Sequence, residues 1–506
     1  MSRTKKTIKN VFYGVAVEAV KLACGLILPR LILTNYGSAY NGIVQSISNF
    51  LSCIALMKMG IGDATRVALF KPLANKDDQE VSEVLASTES FMRRIAAIFA
   101  IFVIVFACVY PLFIADEFDW LFSATLVLII SIVTFAEYYF GFTYQMLLSA
   151  DQKGYIYSSL SIVTTVLNAI ISVILINNNL SIHVVKLGTS LVYLITPVFL
   201  YIYCHRKYNI IKIKKTKIRK IPQRWDAFTH EVASFVNDNT DTLILTVFST
   251  LLEVSVYTVY HYVIVNLKKI MSSFVASFGS AFGDMYAKEE KELMLENLRI
   301  YELITYSFVS TIYSTSLVLI VPFALLYTKG VTDVNYSRPL FGIIITLGGA
   351  FNCYRYPYKS IINCTGHFKQ TKKIAIAEAV MNIVISIFVV AKFGLIGVVV
   401  GTLCTMIFGT IMYSNYVSDN IVYRNKKETY FHLMISLTTM LLVYVVSRLY
   451  MNNISSYFWW IIYAIITVIV AATFTMITNY IFYKKEFKKM IDKVFEVFRK
   501  KYARKK

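Results

Sequence analysis

The sequence predicts an all-α polytopic membrane protein of about 14 transmembrane helices: two six-helix bundles in parallel repeat, followed by two C-terminal helices. Three observations carry that prediction. Apolar stretches long enough to cross a bilayer recur along the chain, basic residues fill alternate gaps between them, and one half of the pattern echoes the other. With 57% hydrophobic and 16% charged residues and a mean hydropathy of +0.59, the chain is too apolar for a soluble protein of this length.

The spans run, in order, over 10–34, 39–62, 92–115, 119–147, 155–177, 181–204, 227–249, 254–286, 301–327, 335–363, 371–391, 394–418, 429–449 and 455–482. Each is near or above the ~20 residues a helix needs to cross the hydrocarbon layer. With the N-terminus placed in the cytoplasm, 39 of the 51 Lys and Arg residues fall in inner segments or at the inner ends of spans, and the outer loops and outer span ends hold four: Lys329, Arg338, Lys392 and Arg448. That asymmetry puts both termini inside, in a bacterial cell membrane on this reading. The net charge of +21 would suggest nucleic acid in a soluble chain; here it points to anionic lipid at the inner leaflet, with no nucleic-acid partner. The first span lacks the short apolar core and small-residue cleavage site of a removable signal. The seven cysteines, all in or at the ends of spans, form neither a disulfide framework nor a metal-binding CxxC pair.

The stretch from Tyr144-Gln-Met-Leu-Leu-Ser through Asn168 and Ser172 matches Tyr358-Lys-Ser-Ile-Ile-Asn through Asn382 and Ser386, without gaps, at an offset of 214. A second echo relates Tyr40–Gly62 to Tyr257–Gly279 at 217. An even number of spans per unit keeps two copies in the same orientation, as in transporters built from parallel repeats. The expected organisation is an N-terminal lobe over 1–204, a basic cytoplasmic linker over 205–226, a C-terminal lobe over 227–418, two additional helices over 429–482 and a basic tail over 483–506. In the tail, Phe487, Met490, Ile491, Val494, Phe495 and Phe498 share one helical face with lysines opposite. That pattern suits a helix lying on the inner membrane surface, or one docking to a partner.

Eight basic residues remain inside the spans once those at the span ends are set aside: Lys21, Arg30, Lys58, Lys186, Lys268, Lys269, Arg355 and Lys359. A charge in the hydrocarbon layer costs at least ~2.5 to 3.5 kcal/mol on insertion scales, so such residues face a bundle interior, a partner or water. His261 and Lys268, seven apart, share a helical face. Together with Lys21, Arg30 and Lys269 they could donate to a phosphate or pyrophosphate. Alternatively these bases pair with Glu18, Glu137, Asp238, Asp241 or Glu378 and hold helices together. The seventh span is the least apolar, with His230, Glu231, Asn237, Asp238, Asn239 and Asp241 near its start; it cannot face lipid. It lines water and bonds sugar hydroxyls, binds a coupling cation (H+ or Na+) through its acids, or supplies partners for Lys268 and Lys21. Among the 36 tyrosines, Tyr257, Tyr260, Tyr313, Tyr354 and Tyr356 are candidates for stacking on sugars, with Tyr257 foremost; membrane-interface anchoring is the alternative.

These features resemble the Wzx-like polysaccharide-exporter branch of the multidrug/oligosaccharidyl-lipid/polysaccharide (MOP) flippase superfamily. The residues carrying the likeness are Leu28-Pro29-Arg30-Leu31 leading through Tyr36-Gly37 to Tyr40-Asn41-Gly42, then Asn237-Asp238-Asn239-Thr240-Asp241 ahead of Leu243-Ile244-Leu245, and the matched Asn168 and Asn382. The resemblance implies two lobes around a central cavity lined chiefly by spans 1, 2, 7 and 8, opening alternately to each side. It implies a flippase for a polyprenyl-pyrophosphate-linked oligosaccharide, acting with other membrane proteins of polysaccharide assembly. A cation-coupled multidrug exporter of the same fold is the nearest alternative, and it would favour intramembrane acids over bases. A membrane polymerase or glycosyltransferase is the alternative from another class. No outer loop exceeds about a dozen residues, the acidic turn Asp116, Glu117 and Asp119 reads as charge exclusion from the cytoplasmic side, and no GxxxxGK[ST] motif occurs. The chain is therefore expected to be no enzyme.

Overall fold

A computed structural model describes residues 3–54, 61–211, 225–275, 282, 285–286, 288–451 and 454–489. Lys58, most of the basic linker and the tail beyond Lys489 lie outside them. The described residues are helical, without strands. In chain order the helices are α1 Arg3–Tyr36, α2 Ser38–Ser52, α3 Ile61–Asn75, α4 Asp78–Phe113, α5 Trp120–Ala136, α6 Phe142–Ala150, α7 Gly154–Asn177, α8 Ile182–Lys207, α9 Trp225–Phe248 and α10 Leu251–Val275. They continue as α11 Lys291–Tyr327, α12 Pro339–Tyr354, α13 Tyr356–Thr365, α14 Phe368–Phe393, α15 Leu395–Asn420, α16 Lys427–Tyr450 and α17 Tyr457–Phe482. Nine of the described helical stretches are long and apolar enough by themselves to cross a membrane.

Local chemistry sets the ends of these helices. Asp77 accepts a hydrogen bond from the Glu80 N–H at 2.9 Å and starts α4. Gly366, at φ +74°, ends α13 in the left-handed conformation that glycine adopts without a Cβ clash. Two of the predicted spans are broken inside. A π-helical turn, Glu137–Gly141, separates α5 from α6, and Arg355 with Pro357 behind it separates α12 from α13. Phe142 and Tyr356, which open α6 and α13, are 214 apart, and so are Gly154 and Phe368 at the starts of α7 and α14. The helix starts within the first echo thus keep its offset of 214. The starts of α2 and α10 differ by 213, so the echo at 217 aligns these two helices about one turn out of step.

The chain forms two compact units. Unit 1 comprises Met1–Phe235, Ser249–Ser255 and Gly330–Val334, and unit 2 comprises Val236–Phe248, Val256–Lys329 and Asn335–Lys506. Unit 1 has one core around Ile43, Ile47, Phe99, Tyr110 and Leu126 and a second around Leu69, Leu85, Leu147 and Leu200. In unit 2, Leu298, Tyr301, Tyr358, Ile361 and Val417 form the corresponding apolar cluster. Several buried hydroxyls bond back along the chain: Thr246, Thr346, Thr371 and Thr439 each donate to the carbonyl four residues back at 2.7–2.8 Å. At the end of unit 2 that carries basic loops, the buried Arg424 guanidinium grips both oxygens of Glu302 and donates to Thr429 at 2.8 Å, fixing the turn into α16.

Candidate functional site

Two helices of unit 2 bring most of the candidate residues together. Along α9, Asn237 and Asp241 are one turn apart and buried, while Asp238 beside them is 47% exposed at its side chain. Along α10, Tyr257, His261, Ile264 and Lys268 fall at i, i+4, i+7 and i+11, a single face. That face meets the α9 pair in a small cleft; Asn352, Thr402 and Met406 also line it. The Lys268 ammonium donates to Asp238 Oδ1 at 2.7 Å. The Tyr257 hydroxyl donates to Asp241 Oδ2 at 3.0 Å, and the Thr402 hydroxyl of α15 donates to the two Asp241 oxygens at 2.7 and 2.9 Å.

The two carboxylates, less than one turn apart, have different partners. Asp238 has an ammonium. Asp241, 3% exposed, is bonded by hydroxyl groups, and among the described residues no Lys or Arg is bonded to it. A carboxylate buried with neutral donors alone is costly when ionised, so such a position takes up a proton or a small cation. The surroundings suit either. Asn382 of α14 donates to Thr402 at 3.2 Å and leaves its own carbonyl oxygen without a hydrogen-bond partner, as does Asn237. One carboxylate with hydroxyl and amide oxygens is a hard-donor set, fit for an alkali cation.

Asn382 belongs to a polar stripe on α14, Glu378, Asn382 and Ser386, in which no member exceeds 1% exposure. Glu378 pairs with Arg355, the residue at the α12–α13 break, and both are buried. α15 packs directly over this pair through Gly409, where an added Cβ would lie 3.0 Å from the Glu378 carboxyl and 3.2 Å from an Arg355 nitrogen.

Of the residues singled out in the sequence, Asn237, Asp241, Tyr257, His261 and Lys268 line this cleft and Asp238 holds Lys268. Lys269 is exposed and outside the lining. Lys21 and Arg30 are on α1 of unit 1. Lys21 lies 3.7 Å from Glu18, with both side chains about half exposed. Tyr257, the foremost candidate for stacking on a sugar, is 2% exposed in this structure, with its ring stacked on His261 at 4.9 Å and its hydroxyl bonded to Asp241. Tyr260, Tyr313 and Tyr354 are likewise core residues and not interfacial anchors. Their hydroxyls reach Tyr336 O at 2.7 Å, Cys353 Sγ at 3.3 Å and Ser310 Oγ at 3.2 Å. Thr402 and Asn352 were missed, since a lone Thr or Asn in an apolar span gives no signal. Asn382 gave one, as the repeat partner of Asn168.

No protein-family model and no curated protein matches the chain by sequence. Solved structures do match. The lipid II flippase MurJ in an inward closed conformation aligns with a TM-score of 0.70 at 16% identity, covering 94% of this chain and 99% of that one. An inward-facing multidrug resistance MATE family transporter of the MOP superfamily aligns at 0.58 and 14%, covering 79% and 95%. A MOP superfamily transporter from Pyrococcus furiosus, described as having a binding pocket of reverse polarity, aligns at 0.52 and 12%, covering 82% and 96%. The fold of this chain is that of the MOP transporters.

Proposed function

We propose that the protein is a flippase, not an enzyme, which moves a polyprenyl-pyrophosphate-linked oligosaccharide across the bacterial cytoplasmic membrane by alternating access. Lys268 carries this reading: its ammonium sits at a cleft where amide and hydroxyl groups and Asp241 alternate with apolar side chains, held by a half-exposed carboxylate from which a phosphate could take it over. The fold likeness to a lipid II flippase over 94% of the chain supports it, against 79% for the MATE transporter. On this reading both termini are cytoplasmic, the basic loops and tail rest on anionic lipid, and other polysaccharide-assembly proteins supply and collect the substrate. Reconstituted protein should expose such a glycan lipid to an external lectin or glycosidase at a rate proportional to protein content; cationic drugs should not compete. Competition by such drugs with no glycan movement would favour the second reading, a cation-coupled multidrug exporter. One observation speaks for that alternative: Asp241 is a buried acid without a basic partner among the described residues.

In either case Asp241 is the position for a coupling proton or sodium ion. Asp241→Asn should leave one hydroxyl donating to the amide oxygen, with the other accepting from the amide nitrogen, while removing the charge. The expected outcome is a transport rate that no longer responds to an imposed proton or sodium gradient and falls roughly tenfold or more at full gradient. Retained gradient dependence would exclude Asp241 from coupling.

A further inference from the structure

Ser249–Ser255 and Gly330–Val334 belong to unit 1, although the chain on both sides of each belongs to unit 2. The contacts that hold them are reciprocal. Helix α2 starts after Gly37, whose φ of +96° suits glycine, and the first donors of α2 turn to an acid far along the chain: the Ser38 N–H and hydroxyl donate to Asp333 Oδ2 and Oδ1, both at 2.6 Å. Helix α10 starts at Leu251, whose N–H donates to Glu117 Oε1 at 2.9 Å. The two helix starts are 213 apart and the two acids 216 apart, so each of two repeat-related helices takes its N-terminal carboxylate from the other half of the sequence. One turn inward from both caps, Asn41 donates to Ser255 at 2.8 Å, with the pair 1% and 0% exposed and 214 apart. Gly42 lies against the Leu251 backbone, where any Cβ would collide with the carbonyl.

We propose that Glu117 and Asp333 form a two-fold latch that holds Ser249–Ser255 and Gly330–Val334 against the rest of unit 1, and that both caps release when these segments part from it during transport. The assignment rests on the transport reading above. It also gives a role to the acidic turn, which the sequence suggested only as charge exclusion. A carboxylate on a helix N-terminus is a favourable, charge-assisted contact. Water can replace it as soon as the helix end is uncovered, so the latch holds while dry and yields without leaving buried donors unmet. The loops at this end are among those that hold four basic residues against 39 in the inner segments, so it is the outer one on the proposed topology.

With the seven native cysteines replaced, Asn41→Cys with Ser255→Cys should cross-link under oxidant and stop transport, and reductant should restore it. With Ser255→Cys as the single thiol, Asp333→Asn or Glu117→Gln should raise labelling by a membrane-impermeant maleimide from outside about fivefold or more. Asp333→Glu, which keeps the charge, should stay near the starting rate. Unchanged labelling in both neutral variants, or full transport by the cross-linked protein, would overturn the latch. Accelerated labelling from the inner face instead would keep the latch and overturn the topology on which the function rests. The labelling arm reads the latch even if no glycan is moved.

Discussion

Lys268→Glu is expected to abolish glycan export while the protein still inserts and folds. The substitution sets a second carboxylate where an ammonium now meets Asp238 at 2.7 Å, and among the described residues Lys268 is the single Lys or Arg lining the cleft. Losing one charge-assisted hydrogen bond to a phosphate removes ~1.5–3 kcal/mol, about 10- to 150-fold in affinity, before any like-charge repulsion is added. Asp238 is 47% exposed, so water can take over its half of the pair, and the folding cost should be small beside the loss of binding. The exchange of both charges, Asp238→Lys with Lys268→Glu, separates the two roles of the pair. A pair that only holds α9 to α10 would regain export on being swapped; a phosphate site at position 268 would not. Export of surface glycan, measured against the amount of protein in the membrane, checks both variants. Wild-type export by Lys268→Glu would remove the cleft from the mechanism.

How far this site could be read from the sequence depends on the range of the interactions that build it. Periodicity within one helix is local, so the polar face of α9 and the common face of His261 and Lys268 are visible in the string. Pairings across helices are not: the sequence left Lys268 open to a phosphate or to Asp238, and the structure supplies the 2.7 Å contact. Thr402, 161 positions from Asp241, completes the buried carboxylate's shell, and neither composition nor spacing could nominate it. Apolar runs and basic gaps reveal a helical membrane chain, because a bilayer imposes length and charge asymmetry on every span. They do not reveal that two spans break near their middles, because a π turn at Glu137 and a kink at Arg355 leave hydropathy unchanged. The reciprocal caps were hidden for the same reason. A lone acid in a short loop carries no mark of the helix it will cap, and only the repeat offset shared by Glu117 and Asp333 shows that the arrangement is two-fold.

Removing either partner of the Arg355–Glu378 pair is expected to deplete folded protein. Both side chains are buried, at 3% and 2% exposure, between α14 and the break in α12–α13. Deleting one charge leaves the other uncompensated in a low dielectric, a loss of ~3–5 kcal/mol that is a large part of the margin by which a folded domain is stable. Arg355→Met and Glu378→Leu should each lower the melting temperature in detergent and reduce the monodisperse fraction. The double variant should recover most of the stability, because two apolar side chains of similar volume need no counter-charge. Such recovery would isolate a second question, since the pair lies at a helix break and on the same α14 stripe as Asn382. If the double variant is stable but transports poorly, the pair positions α14 for the movement proposed to be coupled through Asp241; if it transports normally, the pair serves stability alone. Single variants as stable as the parent would mean that water reaches this pair, contrary to its burial.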